Sequence, residues 1–196
     1  MDHIKLAFDE ARVCLDKFVS DEENFPRIAQ FSAMLVETFR AGAKVMSCGN
    51  GGSMSDAMHF AEEWSGRFRN ERPPMAAFAF SDPGHMTCVA NDYGFHEVFA
   101  RQVQALGKVG DILLLLSTSG NSPNLLRAAE TARKVGVRTV GLLGRGGGAL
   151  LPLCDLPILV PGRASDRIQE LHIKIIHAVI EATERALFPG LYPRGK

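Results

Sequence analysis

Lys44 to Arg67, KVMSCGNGGSMSDAMHFAEEWSGR, is the stretch around which the rest of the chain is organised. Lys44-Val45-Met46-Ser47-Cys48 reads as a short apolar strand, Gly49-Asn50-Gly51-Gly52 as a tight turn, and Ser53 as the cap of a helix that runs on. A strand, a glycine turn and a helix start aim backbone N–H groups and a hydroxyl at one point, where the helix dipole favours an oxygen-rich or anionic ligand. Four residues separate His59 from Glu63, so both side chains project from one face of that helix. The loop is neither a GxxxxGK phosphate loop nor GxGxxG, and HFAEE is not HExxH, so no nucleotide site and no zinc protease follows. Taken alone, the glycines are equally a plain sharp turn, and the His59/Glu63 spacing is more often an exposed ion pair.

Composition narrows the classes. With 196 residues and 46% apolar content the chain can bury a sizeable core as a single domain. Twenty-two basic residues balance twenty-two acidic ones without a run of like charge, which argues against nucleic acid or an anionic membrane as partner. Cys14, Cys48, Cys88 and Cys154 are scattered without a CxxC, and the N-terminus lacks a signal-peptide core, the pattern of a reduced, cytoplasmic protein. No apolar run approaches the ~20 residues that cross a bilayer.

Before the organising stretch, Ile4, Phe8, Ala11, Leu15 and Phe18, then Ile28, Phe31, Leu35 and Phe39, recur at helical spacing. Two amphipathic helices (1–41) therefore precede the first strand and must pack on the sheet, on each other or on another subunit. Beyond it, Met75 to Phe80 reads as a buried strand and Ser81-Asp82-Pro83 as a cap opening a helix, which Asn91-Asp92-Tyr93-Gly94 breaks. Phe95 to Leu106 is helical again. Ile112 to Leu116 is an unbroken apolar run suited to a strand buried on both faces. Ser117-Thr118-Ser119-Gly120-Asn121-Ser122 follows it, and Pro123 opens the next helix. Four hydroxyls within six residues at a strand end exceed what capping needs and suit a phosphate or sugar. Val137 to Leu143 and Leu156 to Val160 are further strands, the latter an edge because of Pro157. Gly144 to Gly148 reads as a flexible turn, in which Gly146 to Gly148 could approach a ligand but fit a plain turn better, Ser165 to about Leu187 as a long helix, and Pro189 and Pro193 mark a tail (189–196). Alternating strands and helices over 42–188 give an α/β, doubly wound, mainly parallel five-stranded sheet with ligands at the carboxyl ends of its strands.

CGNGGS, DAMHFAEE, ANDYGF, LLSTSGNSPN and RIQELHIKIIH, in that order, resemble the SIS (sugar isomerase) domain of the bacterial phosphoheptose isomerase family across nearly the whole chain. The resemblance implies an aldose-ketose isomerase converting sedoheptulose 7-phosphate to D-glycero-D-manno-heptose 7-phosphate, toward ADP-heptose for lipopolysaccharide core or surface glycans. It also implies a homotetramer with sites at subunit junctions. Carried over, it makes Asn50, Gly51, Gly52, Ser53, Glu63, Asn91, Asp92 and Gln169 sugar contacts, with Ser117, Thr118, Ser119 and Ser122 on the phosphate. His59, Glu63, Gln169 and His177 match zinc ligands, and Glu63 and His177 match the acid/base pair. Gln169 and His177 are eight residues apart, roughly 80° around a helix, so the resemblance and not the geometry carries the glutamine. His172 and Glu170 read as a solvated or supporting pair. The alternative is a non-catalytic SIS protein that binds a phosphosugar or the replication initiator, a group the Leu187-Phe188-Pro189 tail also resembles. The presence of both Glu63 and His177 favours the enzyme.

Overall fold

A computed structural model describes residues 2–192, so of the expected tail only Pro193 and the residues after it lie outside the described residues. Helices α1 (Asp2–Val19) and α2 (Asn24–Arg40) precede β1 (Val45–Gly49), α3 (Gly52–Ser65), β2 (Ala77–Ala79), α4 (Pro83–Tyr93) and α5 (Val98–Leu106). Then come β3 (Ile112–Ser117), α6 (Pro123–Val135), β4 (Arg138–Gly144), β5 (Leu156–Val160) and the long α7 (Ser165–Leu187). All strand pairings are parallel, in the order β2-β1-β3-β4-β5.

Alternation along each strand divides the core in two. Ile112, Leu114 and Leu116 of β3 face a cluster with α2, α3 and α7, while Leu113 and Leu115 face one with α5 and α6. Both faces of β3 are thus covered, which is why its sequence is apolar without interruption. Successive connections leave β1 toward β2 on one side and β3 toward β4 on the other. The strand order reverses between β1 and β3, and crevices at such a point hold ligands in doubly wound sheets. The Gly49–Gly52 and Ser117–Ser122 loops leave from the carboxyl ends of those two strands.

Several local expectations are corrected. Gly51, at φ 56°, is the N-cap of α3, and Ser53 lies buried inside the first turn without capping it. Only Ala77–Ala79 of the expected Met75–Phe80 strand pairs, because β2 is an edge strand with one neighbour, half-buried rather than buried. Asn91 and Asp92 do not break α4 but form its last turn, and Gly94 at φ 91° ends it. Pro157 does mark an edge strand. On α1, Cys14 and Phe18 reach the core, but Ile4 and Phe8 remain 68% and 74% exposed, so the amino-terminal part of this stripe is uncovered among the described residues.

Candidate active site

Two helices build the charged half of the site. On α3, His59 and Glu63 face the same way, and Glu63 Oε1 lies 3.1 Å from His59 Nε2. On α7, His177 brings its Nε2 to 3.4 Å from the same His59 atom, although the two residues are 118 apart in sequence. One ligand-type atom from each of His59, Glu63 and His177 lies within 4.8 Å of the others. Bonds of 2.0–2.2 Å put neighbouring ligands of a tetrahedral zinc about 3.4 Å apart, so these two imidazoles and a carboxylate fit such an ion in both spacing and donor type. Burial pushes the His177 imidazole below its ordinary range, helped by the neighbouring His59 and opposed by Glu63. That shift favours the neutral imidazole.

The second half is a cavity of about 200 Å³ lined mainly by polar side chains from three segments. Asn50 and Ser53 come from the first loop, Ser117, Thr118, Ser119 and Ser122 from the second, and Ser165 and Gln169 from the start of α7. No charged side chain lines it. The amino ends of α3, α6 and α7 converge here, and each carries partial positive charge. Reciprocal amide bonds between Asn50 and Asn124, 3.0 and 2.8 Å, staple the two loops together. Ser117 Oγ accepts from the Gly120 N–H at 2.9 Å and so shapes the second loop from within.

The implied metal set and sugar contacts are not all brought together. Gln169 donates to Ser53 Oγ at 3.3 Å and lies against Gly52, where a Cβ would stand 2.7 Å from its Oε1. Eight residues of helix, roughly 12 Å, separate it from His177, and its side chain lines the hydroxyl cavity. Asn91 and Asp92 are exposed, bonded to each other at 2.8 Å, and line no part of that cavity.

The SIS domain profile matches residues 8–144. A phosphoheptose isomerase of Fusobacterium nucleatum is 50% identical over 178 residues, covering 91% of this chain and 92% of that protein. One from Vibrio parahaemolyticus is 49% identical over 187 residues, covering 95% and 98%. Among solved structures, a phosphoheptose isomerase from Francisella tularensis superposes with a TM-score of 0.90 at 36% identity, covering 94% of this chain and 97% of that one. The chain belongs to the phosphoheptose isomerase family of SIS-domain enzymes.

As in any isomerase, the reactive groups must be held as well as supplied, and here sequence reasoning missed the residues that hold them. Arg72 is fully buried and donates from Nε to Glu184 Oε1 at 2.8 Å, a buried ion pair 112 residues apart that ties the segment after α3 to α7. The same guanidinium donates to the carbonyls of Glu63 and Trp64, ending α3. Phe68 stacks on His177 with ring centroids 5.9 Å apart and walls one side of the imidazole. Asp56, one turn before His59, keeps one carboxylate oxygen without a partner, and burial pushes its pKa up to about 6. The expectation of a solvated His172 fails. That ring is fully buried with neither nitrogen paired, and burial pushes it down to about 4. Glu170, on the opposite face of α7, pairs with Arg167 at 2.7 Å.

Proposed function

We propose that the chain is an aldose-ketose isomerase that converts sedoheptulose 7-phosphate to D-glycero-D-manno-heptose 7-phosphate through an enediolate. The observation that carries this is the pairing of a carboxylate–imidazole group from two sequence-distant helices with a hydroxyl-lined cavity two to three turns away along α7. The phosphate lies in the cavity under Ser117, Thr118, Ser119 and Ser122. Asn50, Gly51, Gly52, Ser53 and Gln169 contact the sugar.

Exchange of a ketose and an aldose moves one proton between C1 and C2. Glu63 is the base that takes it and returns it; Oε1 is engaged by His59, which leaves Oε2 for the sugar. His177 is the partner acid. Its lowered pKa favours the neutral imidazole, whose ring N–H donates to the carbonyl oxygen without carrying a formal charge. Zinc held by His59, Glu63 and His177 supplies polarisation of the carbonyl and steadies the oxyanion when bound. The uncovered apolar stripe of α1 supports a homotetramer, in which Asn91 and Asp92 complete a neighbouring site. The product feeds ADP-heptose synthesis for lipopolysaccharide core or surface glycans in the cytoplasm. No described helix is long and apolar enough to cross a membrane.

Incubation with sedoheptulose 7-phosphate and related ketose phosphates, with and without chelator, tests the reading. Conversion of the heptulose, lost on chelation and restored by zinc, is expected. Binding of the phosphosugar without any turnover would replace the enzyme by a non-catalytic SIS protein.

A further inference from the structure

A phosphate monoester carries close to two negative charges at neutral pH, yet no charged side chain lines the cavity proposed to hold it. We infer that Arg145, acting through Ser165, is a positioning residue that supplies that missing charge to the phosphate. This rests on the phosphosugar reading above.

Arg145 follows β4 in the loop that sequence reasoning took for a plain turn. Its Nη2 donates to Ser165 Oγ at 3.0 Å and its Nε to the Arg163 carbonyl at 2.8 Å. Ser165 Oγ in turn lies 3.2 Å from Thr118 Oγ1, and both hydroxyls line the cavity. Donor chemistry gives this chain a direction. A guanidinium has no acceptor, so the Ser165 oxygen must accept from it, and the Ser165 proton is turned toward Thr118 or the ligand. Where that proton goes to Thr118, the Thr118 hydroxyl is left to donate into the cavity. Each hydroxyl is polarised by the cation behind it, and such charge-assisted bonds are roughly twice as strong as neutral ones.

Two further observations show that the arrangement is built. Arg145, at φ 49°, is the only non-glycine in the left-handed region among the described residues, a conformation that costs an L-residue about 1–2 kcal/mol. Three glycines follow it that take this conformation freely. Its loop is also fitted against the second polar loop. A Cβ on Gly120 would stand 1.8 Å from the Gly147 carbonyl oxygen, and the Leu150 N–H donates to the Gly120 carbonyl at 2.9 Å. The loop that carries Arg145 is thus packed against the loop that carries Thr118. The guanidinium itself is exposed, so its removal spares the core.

The test compares R145M, R145G, S165A and R145M/S165A in sedoheptulose 7-phosphate isomerisation, with inorganic phosphate as competitive inhibitor. R145G suits the left-handed backbone and guards against misfolding. Both Arg145 variants are expected to raise KM and the phosphate inhibition constant about tenfold with kcat within twofold, as befits one charge-assisted bond. S165A is expected to do the same, and R145M/S165A to be no worse than S165A. R145K is expected to recover part of the loss, since lysine keeps the charge but not the fork. Unchanged KM and phosphate inhibition in R145G, a loss confined to kcat, or additive effects in the double variant each overturn the inference while leaving the phosphosugar reading standing. No turnover of any ketose phosphate by the unaltered enzyme overturns that reading and this inference together.

Discussion

At its amino end α7 meets the cavity with neutral groups, Ser165 and Gln169, among hydroxyls and helix termini. Two to three turns further on, the same helix presents His177 to His59 and Glu63, and about two turns beyond that Glu184 to a fully buried Arg72. The amino end spreads binding over many weak donors, each contributing about 1 kcal/mol, so that losing one leaves the rest in place. The carboxyl end concentrates charge in a few groups, where losing one leaves another uncompensated. One helix therefore joins a tolerant binding end to an intolerant reactive end.

The sharpest break in that comparison is Glu63→Gln. Turnover should fall about 10³-fold or more, the scale of a lost general base, with inhibition by inorganic phosphate little changed, measured by steady-state kinetics. Arg72→Met is expected next, since it leaves Glu184 buried without its cation. A loss of roughly 3 kcal/mol or more in unfolding free energy should appear in urea titrations. His172 adds a pH term. Its folded pKa of about 4 lies below the ordinary 6.5, so between those values the unfolded chain binds more protons and stability falls as pH falls. The loss should reach about 3 kcal/mol near pH 4, and His172→Leu should flatten that acid limb. Asp56, raised from 3.8 to about 6, has the opposite sign, its protonated form being favoured on folding, and partly offsets this slope. Smallest is Ser119→Ala, expected to raise KM about fivefold with kcat retained, as one hydroxyl among several.

How much of this is legible in the residues follows from the distance over which each feature is determined. The β1 loop and the Ser117–Ser122 loop are local events, a strand ending in turn formers before a helix, and both emerge where their residues put them. The full span of α7 was readable for the same reason, from continuous helical spacing up to Pro189. Ser53 failed as a cap because glycine at residue 51 takes the N-cap with a backbone no serine favours. His172 lies on the side of the helix that Ile168, Ile175 and Ile176 mark as core, a cue that its pairing with Glu170 in the sequence hides. Pairing of Glu63 with His177, and of Arg72 with Glu184, depends on how α3 and α7 pack. No spacing within either helix encodes it, and for the first pair only family resemblance pointed there. Gln169 shows the converse, since an eight-residue gap already set it apart from His177.

The account depends on Glu63 moving a proton on a sugar whose phosphate is held elsewhere. Isomerisation of sedoheptulose 7-phosphate in heavy water, followed by NMR, reads this directly. Solvent deuterium should enter at C1 of the ketose and C2 of the aldose with the unaltered enzyme and be absent with Glu63→Gln, which still binds phosphate. Deuterium incorporation by Glu63→Gln at the unaltered rate would contradict it.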